Sequence, residues 1–226
     1  MEAFVLQDIP FRVDIDRLLN KVHVKAESEY GSRVRQLVEE ALAIGRPKAM
    51  YKIAYIEAKE DEAVIVDGVR LTSRVLRVNL DQAHRVFPFV ATCGRELHDW
   101  ASDKEDLLEE FWAGAIMEMA LNAAYEAVVA DLESFQLGTT ATMNPGSLQD
   151  WPMSEQRQLF TLLGDPREAI GVELTDSFLM VPIKSISGLH FPTEVRFQNC
   201  QLCPREGCPG RRAPYDPTLY DRKYRR

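Results

Sequence analysis

Three of the four cysteines lie close together near the end of the chain, as Cys200, Cys203 and Cys208 in a C-x2-C-x4-C pattern. Thiolates at this spacing on one loop can bind a soft metal ion such as zinc, or an Fe–S cluster. The pattern supplies three ligands, and the fourth position is either filled by Cys93 or His190 or left open. Two other interpretations stay open, namely a redox-active or reactive thiol pair and structural cysteines without a metal.

The composition predicts a protein with a substantial core in a reducing compartment. The chain has 226 residues, of which 46% are hydrophobic, so no disulfide staple is needed. The first residues lack a basic stretch followed by an apolar run, and no segment of about 18 apolar residues occurs. We therefore expect a soluble cytoplasmic protein that makes no membrane contact.

The charge is distributed unevenly along the chain. Residues 196–226 contain eight Lys or Arg against three Asp or Glu, while the whole chain has a net charge of −8. The body is therefore strongly acidic and would repel nucleic acid, so we predict no nucleic-acid partner. The basic tail is either a solubilising terminus that lies over the acidic body or a contact for a phosphate or an acidic partner.

The hydrophobic pattern changes several times along the chain. Residues 1–45 predict two helices, and residues 48–92 predict a small sheet built from the runs AMYKIAYIEA, EAVIVDG, RVLRVNL and RVFPFVAT. Residues 102–135 predict one long helix that packs through its alanines and begins with a capping box of Ser102 and Glu105. After Gly138 we expect a loop, a short helix capped by Ser154, and further strands.

The block from Asn144 to Leu189 contains a series of short motifs in a fixed order, namely Pro145-Gly146, Asp150-Trp151-Pro152, Gln156, Leu159-Phe160, Gly171-Val172, Leu174-Thr175, Met180-Val181-Pro182 and Lys184-Ser185-x-Ser187-Gly188. With these motifs the block resembles the activation domain of vitamin B12-dependent methionine synthase. Upstream, the segment 91–97 (ATCGREL) is similar to the sequence that precedes the long helix of that family. The resemblance covers roughly residues 5–192.

The resemblance implies an α+β fold, with a twisted antiparallel sheet packed against helices that include one long central helix. It divides the chain into an activation-domain-like domain at residues 1–192 and a Cys-rich loop with a basic tail at residues 193–226. It also implies that the domain binds S-adenosylmethionine, docks on a cobalamin-carrying protein and helps to restore methylcobalamin by reductive remethylation. The partner would be a corrinoid protein, such as a methionine synthase that lacks its own activation domain.

The chain departs from the family at positions that the resemblance assigns to the cofactor. Thr142 and Ser147 stand where the family has an arginine and a tyrosine, and Asn122 stands where the long helix has an acidic residue. Loss of the arginine removes a charge-assisted contact of roughly 1.5–3 kcal/mol to the cofactor's carboxylate.

The predicted cofactor site consists of Pro145, Gly146, Ser147, Trp151, Asn122 and Thr142. Trp151 or Tyr125 would offer an aromatic surface to the adenine or the sulfonium, although Trp151 is as readily a core residue.

Two hypotheses follow from the sequence. The first is an accessory protein that binds S-adenosylmethionine and assists cobalamin remethylation. The second is a non-enzymatic, corrinoid-associated module that binds zinc or an Fe–S cluster through its cysteines and binds no S-adenosylmethionine.

Overall fold

The computed structural model describes residues 3–194 and 197–225. Arg196 and Arg226, two of the basic residues counted in the tail, lie outside the described residues. The helices are α1 (Ile15–Lys21), α2 (Glu29–Ile44), α3 (Arg74–Asn79), α4 (Arg95–Ser102), α5 (Leu107–Glu133), α6 (Gln156–Leu163) and α7 (Pro166–Ile170). The strands are β1 (Phe4–Leu6), β2 (Lys48–Tyr51), β3 (Ala54–Lys59), β4 (Ala63–Val66), β5 (Val69–Thr72), β6 (Arg85–Thr92), β7 (Thr140–Met143), β8 (Glu173–Leu174), β9 (Met180–Val181) and β10 (Ser185–Pro192).

Within the described residues, eight of these strands form one antiparallel sheet, and β8 pairs with β9 in a separate two-stranded sheet. Strand β6 is central, because it pairs with β2, β3 and β10. Strand β10 also pairs with β7, so that His190 lies opposite Thr142 on one side and Phe87 on the other. Helices packed on an antiparallel sheet confirm the predicted α+β class.

The two faces of the sheet bury different sets of side chains, because successive residues of a strand point in opposite directions. Phe87, Phe89 and Ala91 of β6 pack with the long helix α5. Val86 and Val90, which alternate with them, belong to a second core. That second core includes residues of α3, α6, the segment around Trp151 and the C-terminal segment.

The predicted start of the long helix is wrong. Ser102 ends α4, where its hydroxyl donates to the carbonyl of His98 at 2.9 Å. Helix α5 begins after Asp106, whose carboxylate accepts hydrogen bonds from the N–H groups of Leu108 and Glu109. A carboxylate satisfies these free N–H groups and interacts favourably with the helix dipole, so Asp106 is the better cap.

Other local predictions also need correction. The run RVLRVNL, predicted as a strand, forms α3, because Ser73 caps it by accepting from the N–H of Leu76 and both Val75 and Leu76 are buried. The predicted loop after Gly138 contains β7, and β1 precedes the two predicted helices. Ser154 lies inside a 3-10 turn rather than at a cap, and α6 begins at Gln156 without a side-chain cap.

The C-terminal segment packs on the body of the protein. Phe197 and Tyr224 are buried in the second core. Arg74 of α3 donates from Nε to the carbonyl of Tyr224 at 3.1 Å, and the Tyr224 hydroxyl donates to Asn79 at 3.0 Å. Phe197 and Tyr224 thus belong to the same core as residues before 192. The predicted division into a domain at 1–192 and a tail at 193–226 stays a prediction. Across residues 3–194 and 197–225, no helix is both long and apolar enough to span a bilayer.

Candidate functional site

The turn from Asn144 to Trp151 is held by its own backbone. The N–H of Gly146 donates to the carbonyl of Trp151 at 2.8 Å, and the N–H of Ser147 donates to the carbonyl of Asn144 at 3.1 Å. Gly146 has a φ of +81°, and a Cβ at this position would lie 2.7 Å from Cε of Met153. The positive φ favours glycine here, whereas the flexible end of Met153 is able to move aside, so Pro145 and Gly146 act by shaping the turn.

Trp151 is completely buried in the second core. Its indole Nε1 has no hydrogen-bond partner among the described residues. The ring therefore exposes no surface to a ligand, in contrast to the aromatic role considered from the sequence, and it corresponds to the alternative of a core residue.

A pocket of about 460 Å³ lies next to this turn. Three segments line it: the turn residues 147–150, the cysteine loop at 202–204 and the C-terminal residues 215–217 with Tyr220. Val75 of α3 completes the lining. Its volume falls within the range of about 300–1,000 Å³ that is typical of small-molecule sites.

Two carboxylates and two tyrosines supply much of the polar lining of this pocket. Asp150 accepts hydrogen bonds from the hydroxyl of Ser73 and, at 2.9 Å, from the N–H of Val75 at the start of α3. Burial, followed by the charge of Asp150, raises the pKa of Tyr220. Asp216 accepts from Thr218 and pairs with Arg222 at 3.1 Å, which offsets part of its charge.

The cysteine loop is arranged around the guanidinium of Arg211. This group donates to the carbonyls of Cys200 and Cys203, each at 3.1 Å, and to the carbonyls of Arg205 and Ala213. The N–H of Arg212 approaches Sγ of Cys200 at 3.4 Å, and this hydrogen bond is the main reason that the pKa of the Cys200 thiol is lowered. The Arg211 side chain thus ties the backbone of the loop together, and the thiols of Cys200, Cys203 and Cys208 are partly buried.

The predicted metal ligands do not converge. Within the described ranges, no group of three His, Cys, Asp or Glu side chains is placed to hold a metal ion, and all four thiols are free. The arrangement therefore does not fit a preformed zinc or Fe–S site. Cys93 is buried at the end of β6, and burial raises its thiol pKa to about 12, which makes it a poor ligand and nucleophile.

His190 lies in the core between the sheet and α5. Its ring packs against Phe89 and Tyr125, with ring centroids 4.9 and 5.7 Å away, and its Nδ1 is 2.8 Å from the hydroxyl of Thr142. Burial lowers its pKa to about 4. His190 and Thr142 therefore form a structural pair, and a cleft of about 200 Å³ at the end of α5 reaches His190.

Asn122 lines a third cavity, of about 660 Å³, between α5 and the N-terminal segment. Arg12, Arg17, Lys21 and Glu118 are among the charged residues that share it. The predicted cofactor residues are thus distributed over separate places. Ser147 lies in the pocket beside the turn, Asn122 in the α5 cavity, and Thr142 in the hydrogen bond with His190.

Sequence reasoning missed the residues that the C-terminal segment contributes to the pocket, namely Tyr215, Asp216 and Tyr220. They lie far from the turn in the sequence, and the basic residues of this segment are its most conspicuous feature. The available signal was the run Pro-Tyr-Asp-Pro-Thr at 214–218, whose prolines and Asp favour a defined turn.

The described residues form an α+β domain, in which an antiparallel sheet carries a long helix on one face and a pocketed turn on the other. The family model "Vitamin B12 dependent methionine synthase, activation domain" matches residues 145–205. A crystal structure of the MetH reactivation domain bound to AdoHcy is similar, with a TM-score of 0.61 and 13% sequence identity, covering 88% of this chain and 81% of that chain. A search of curated proteins found no sequence match. The resemblance stated from the sequence is thereby confirmed, as is the fold.

Proposed function

We propose that this protein binds S-adenosylmethionine and assists the reductive remethylation of cobalamin on a corrinoid protein, such as a methionine synthase without its own activation domain. The observation that carries this proposal is the position of the matched segment. Residues 145–205 include the turn at 145–151 and residues 202–204 of the cysteine loop, and both border the pocket of about 460 Å³. The similar MetH reactivation domain was crystallised with AdoHcy, a ligand of the same chemical class as S-adenosylmethionine.

The proposed activity requires the protein only to bind S-adenosylmethionine and to orient it toward the corrinoid. A sulfonium is already an activated methyl donor, so no side chain has to act as a general acid or base. The turn, held by the hydrogen bond between Gly146 and Trp151, fixes one wall of the pocket. The strongly acidic body is compatible with a partner that presents basic residues at its docking surface.

The first test is a calorimetric titration of anaerobically purified protein with S-adenosylmethionine up to millimolar concentration. We expect saturable binding with one site per chain. A second stage would measure the transfer of a labelled methyl group to a reduced corrinoid protein in the presence and absence of this chain. Absence of any binding at millimolar ligand would overturn the proposal.

A second candidate function is favoured by the organisation of the cysteine loop. Arg211 holds the carbonyls of Cys200 and Cys203 together, and the N–H of Arg212 faces the Cys200 sulfur. In this alternative the protein is a corrinoid-associated module that binds zinc or an Fe–S cluster after the loop rearranges, and it binds no S-adenosylmethionine. Metal analysis and the visible spectrum of anaerobically purified protein test it. Protein that holds neither zinc nor iron would eliminate this alternative.

A further inference from the structure

We propose that the C-terminal residues 215–220 form the second wall of the S-adenosylmethionine pocket and that Asp150, Tyr215 and Tyr220 recognise the positive charge of the sulfonium. This inference rests on the proposed function and adds the residues that select the ligand. Tyr215 and Tyr220 lie beyond the residues that the family model matches, which end at 205. The selecting wall is therefore supplied by a part of the chain that the family resemblance does not cover.

The second wall is fixed in place by contacts with the rest of the molecule. The N–H of Asp216 donates to the carbonyl of Gln201 at 2.9 Å, which ties the wall to the cysteine loop. Tyr220 packs against Tyr224, with ring centroids 6.0 Å apart, and Tyr224 is buried in the second core. Both ends of the wall are thus anchored, and a ligand would meet a largely preformed surface.

The charge of the lining favours a cationic ligand. Among the described residues, the pocket is lined by Asp150 and Asp216 and by no Lys or Arg. Asp216 is partly neutralised by Arg222, so Asp150 is the stronger source of negative potential. The hydroxyl of Ser73 and the N–H of Val75 hold the Asp150 carboxylate in one position. The lining offers no Lys or Arg to an anionic ligand such as a phosphate ester, and Arg222, the nearby cation that pairs with Asp216, is already engaged.

The aromatic side chains strengthen the same preference. Tyr215 is 43% exposed and Tyr220 is 41% exposed, so both rings keep surface that a ligand can cover. A positively charged sulfur near the face of an aromatic ring is attracted by the ring quadrupole. S-adenosylhomocysteine has a neutral sulfur and loses this attraction, together with the attraction to Asp150. The pocket should therefore bind S-adenosylmethionine more tightly than S-adenosylhomocysteine.

The test is a pair of calorimetric titrations, with S-adenosylmethionine and with S-adenosylhomocysteine, on the full chain and on three variants. Asp150→Asn keeps the oxygen acceptor for Ser73 and Val75 but removes the charge. It should weaken S-adenosylmethionine binding about tenfold and S-adenosylhomocysteine binding by less than about twofold. Tyr215→Ala should weaken S-adenosylmethionine binding about two- to fivefold.

Tyr55→Ala is the matched control. Tyr55 is 48% exposed, lies on β3 and is not part of the pocket lining, so its loss should leave both affinities unchanged. Thermal unfolding of each variant shows whether it is folded.

The outcomes separate the two proposals. Equal affinity of the wild type for the two ligands would overturn this inference and leave the proposed function standing. The same conclusion would follow if Asp150→Asn and Tyr215→Ala left the affinity for S-adenosylmethionine unchanged. Failure of the wild type to bind S-adenosylmethionine would overturn the proposed function and this inference with it.

Discussion

The two faces of the central sheet are covered by different kinds of structure. One face packs against α5, a single helix of 27 residues whose Ala124 and Val128 contact Phe87 and Phe89. The other face is covered by short helices, the turn at 144–151 and the C-terminal segment, with Trp151 and Tyr224 buried among them. We call these the helix-covered face and the loop-covered face.

The difference shows how the pocket beside the turn is assembled. The C-terminal half of α5, with Ala124 and Val128 at its contact positions, packs closely on the sheet. The loop-covered face is assembled from segments that are distant in sequence, and the pocket of about 460 Å³ lies where three of them meet. The loop-covered face therefore brings polar and aromatic groups from distant parts of the sequence to one pocket.

The largest effect is expected for a pair of substitutions, one on each face. Trp151→Ala and Phe89→Ala each remove a fully buried aromatic side chain and should each lower the free energy of unfolding by about 3–5 kcal/mol. Only Trp151→Ala should also weaken S-adenosylmethionine binding, because the cavity that it leaves lies next to the pocket turn and allows the backbone at Trp151, which closes that turn, to shift. Denaturant unfolding and calorimetric titration measure the two effects.

Trp151→Phe serves as the control for this pair. It fills much of the same volume and removes an indole N–H that has no partner among the described residues, so its cost should be below about 1.5 kcal/mol. Equal loss of ligand binding in Trp151→Ala and Phe89→Ala would show that the two faces are not functionally distinct.

The sequence predicted the helix-covered face better than the loop-covered face for a physical reason. Periodic apolar residues and closely spaced alanines identify a long buried helix, and the structure differs mainly in its cap, Asp106 rather than Ser102. The loop-covered face depends on long-range contacts, such as those of Tyr224 with Arg74 and Asn79, which leave no periodic signal. RVLRVNL illustrates the same limit, because a run rich in β-branched residues becomes helical where a serine caps it and two side chains are buried.

The candidate site was predicted in part. The Pro-Gly turn was identified from local residue types, because glycine at a positive φ and proline leave a clear signature. Its second wall was not, because Tyr215 and Tyr220 reach the pocket only through the fold. The expected cluster of His190 with the cysteines is absent from the described residues for the same reason, since β-sheet register places His190 beneath α5.

Acidification should destabilise the helix-covered face through His190. Burial lowers the pKa of His190 from its ordinary value of 6.5 to about 4 in the folded protein. Between these values the unfolded chain binds more protons, so stability rises with pH. The contribution of the neutral imidazole is complete above about pH 6.5 and is lost as the pH falls toward 4.

The expected loss from this histidine between pH 7 and pH 5 is about 2 kcal/mol. Chemical denaturation at both pH values measures it, and His190→Phe should show a smaller loss than the wild type. If His190→Phe loses as much stability as the wild type between pH 7 and pH 5, then carboxylates, rather than this histidine, determine the acid sensitivity.

The smallest effects should come from removing one hydroxyl on each face. On the helix-covered face, Tyr51 donates to the carboxylate of Asp131 in α5 at 2.6 Å, and burial together with this carboxylate raises the pKa of Tyr51. On the loop-covered face, Tyr224 donates to the amide oxygen of Asn79 at 3.0 Å. Hydrogen bonds to charged acceptors are worth more than neutral ones, so Tyr51→Phe should cost about 2 kcal/mol and Tyr224→Phe about 1 kcal/mol.

The shift of the denaturation midpoint, with the slope of the denaturant dependence unchanged, measures the loss of stability in each variant. Tyr51→Phe combined with Asp131→Asn provides the control, because the two changes remove the same interaction and should cost less together than the sum of the single variants. Strict additivity would mean that Tyr51 and Asp131 do not interact in solution. A larger loss of stability for Tyr224→Phe than for Tyr51→Phe would contradict the expected order of the two faces. It would show that the C-terminal segment, and not the long helix, is the more firmly held cover of the sheet.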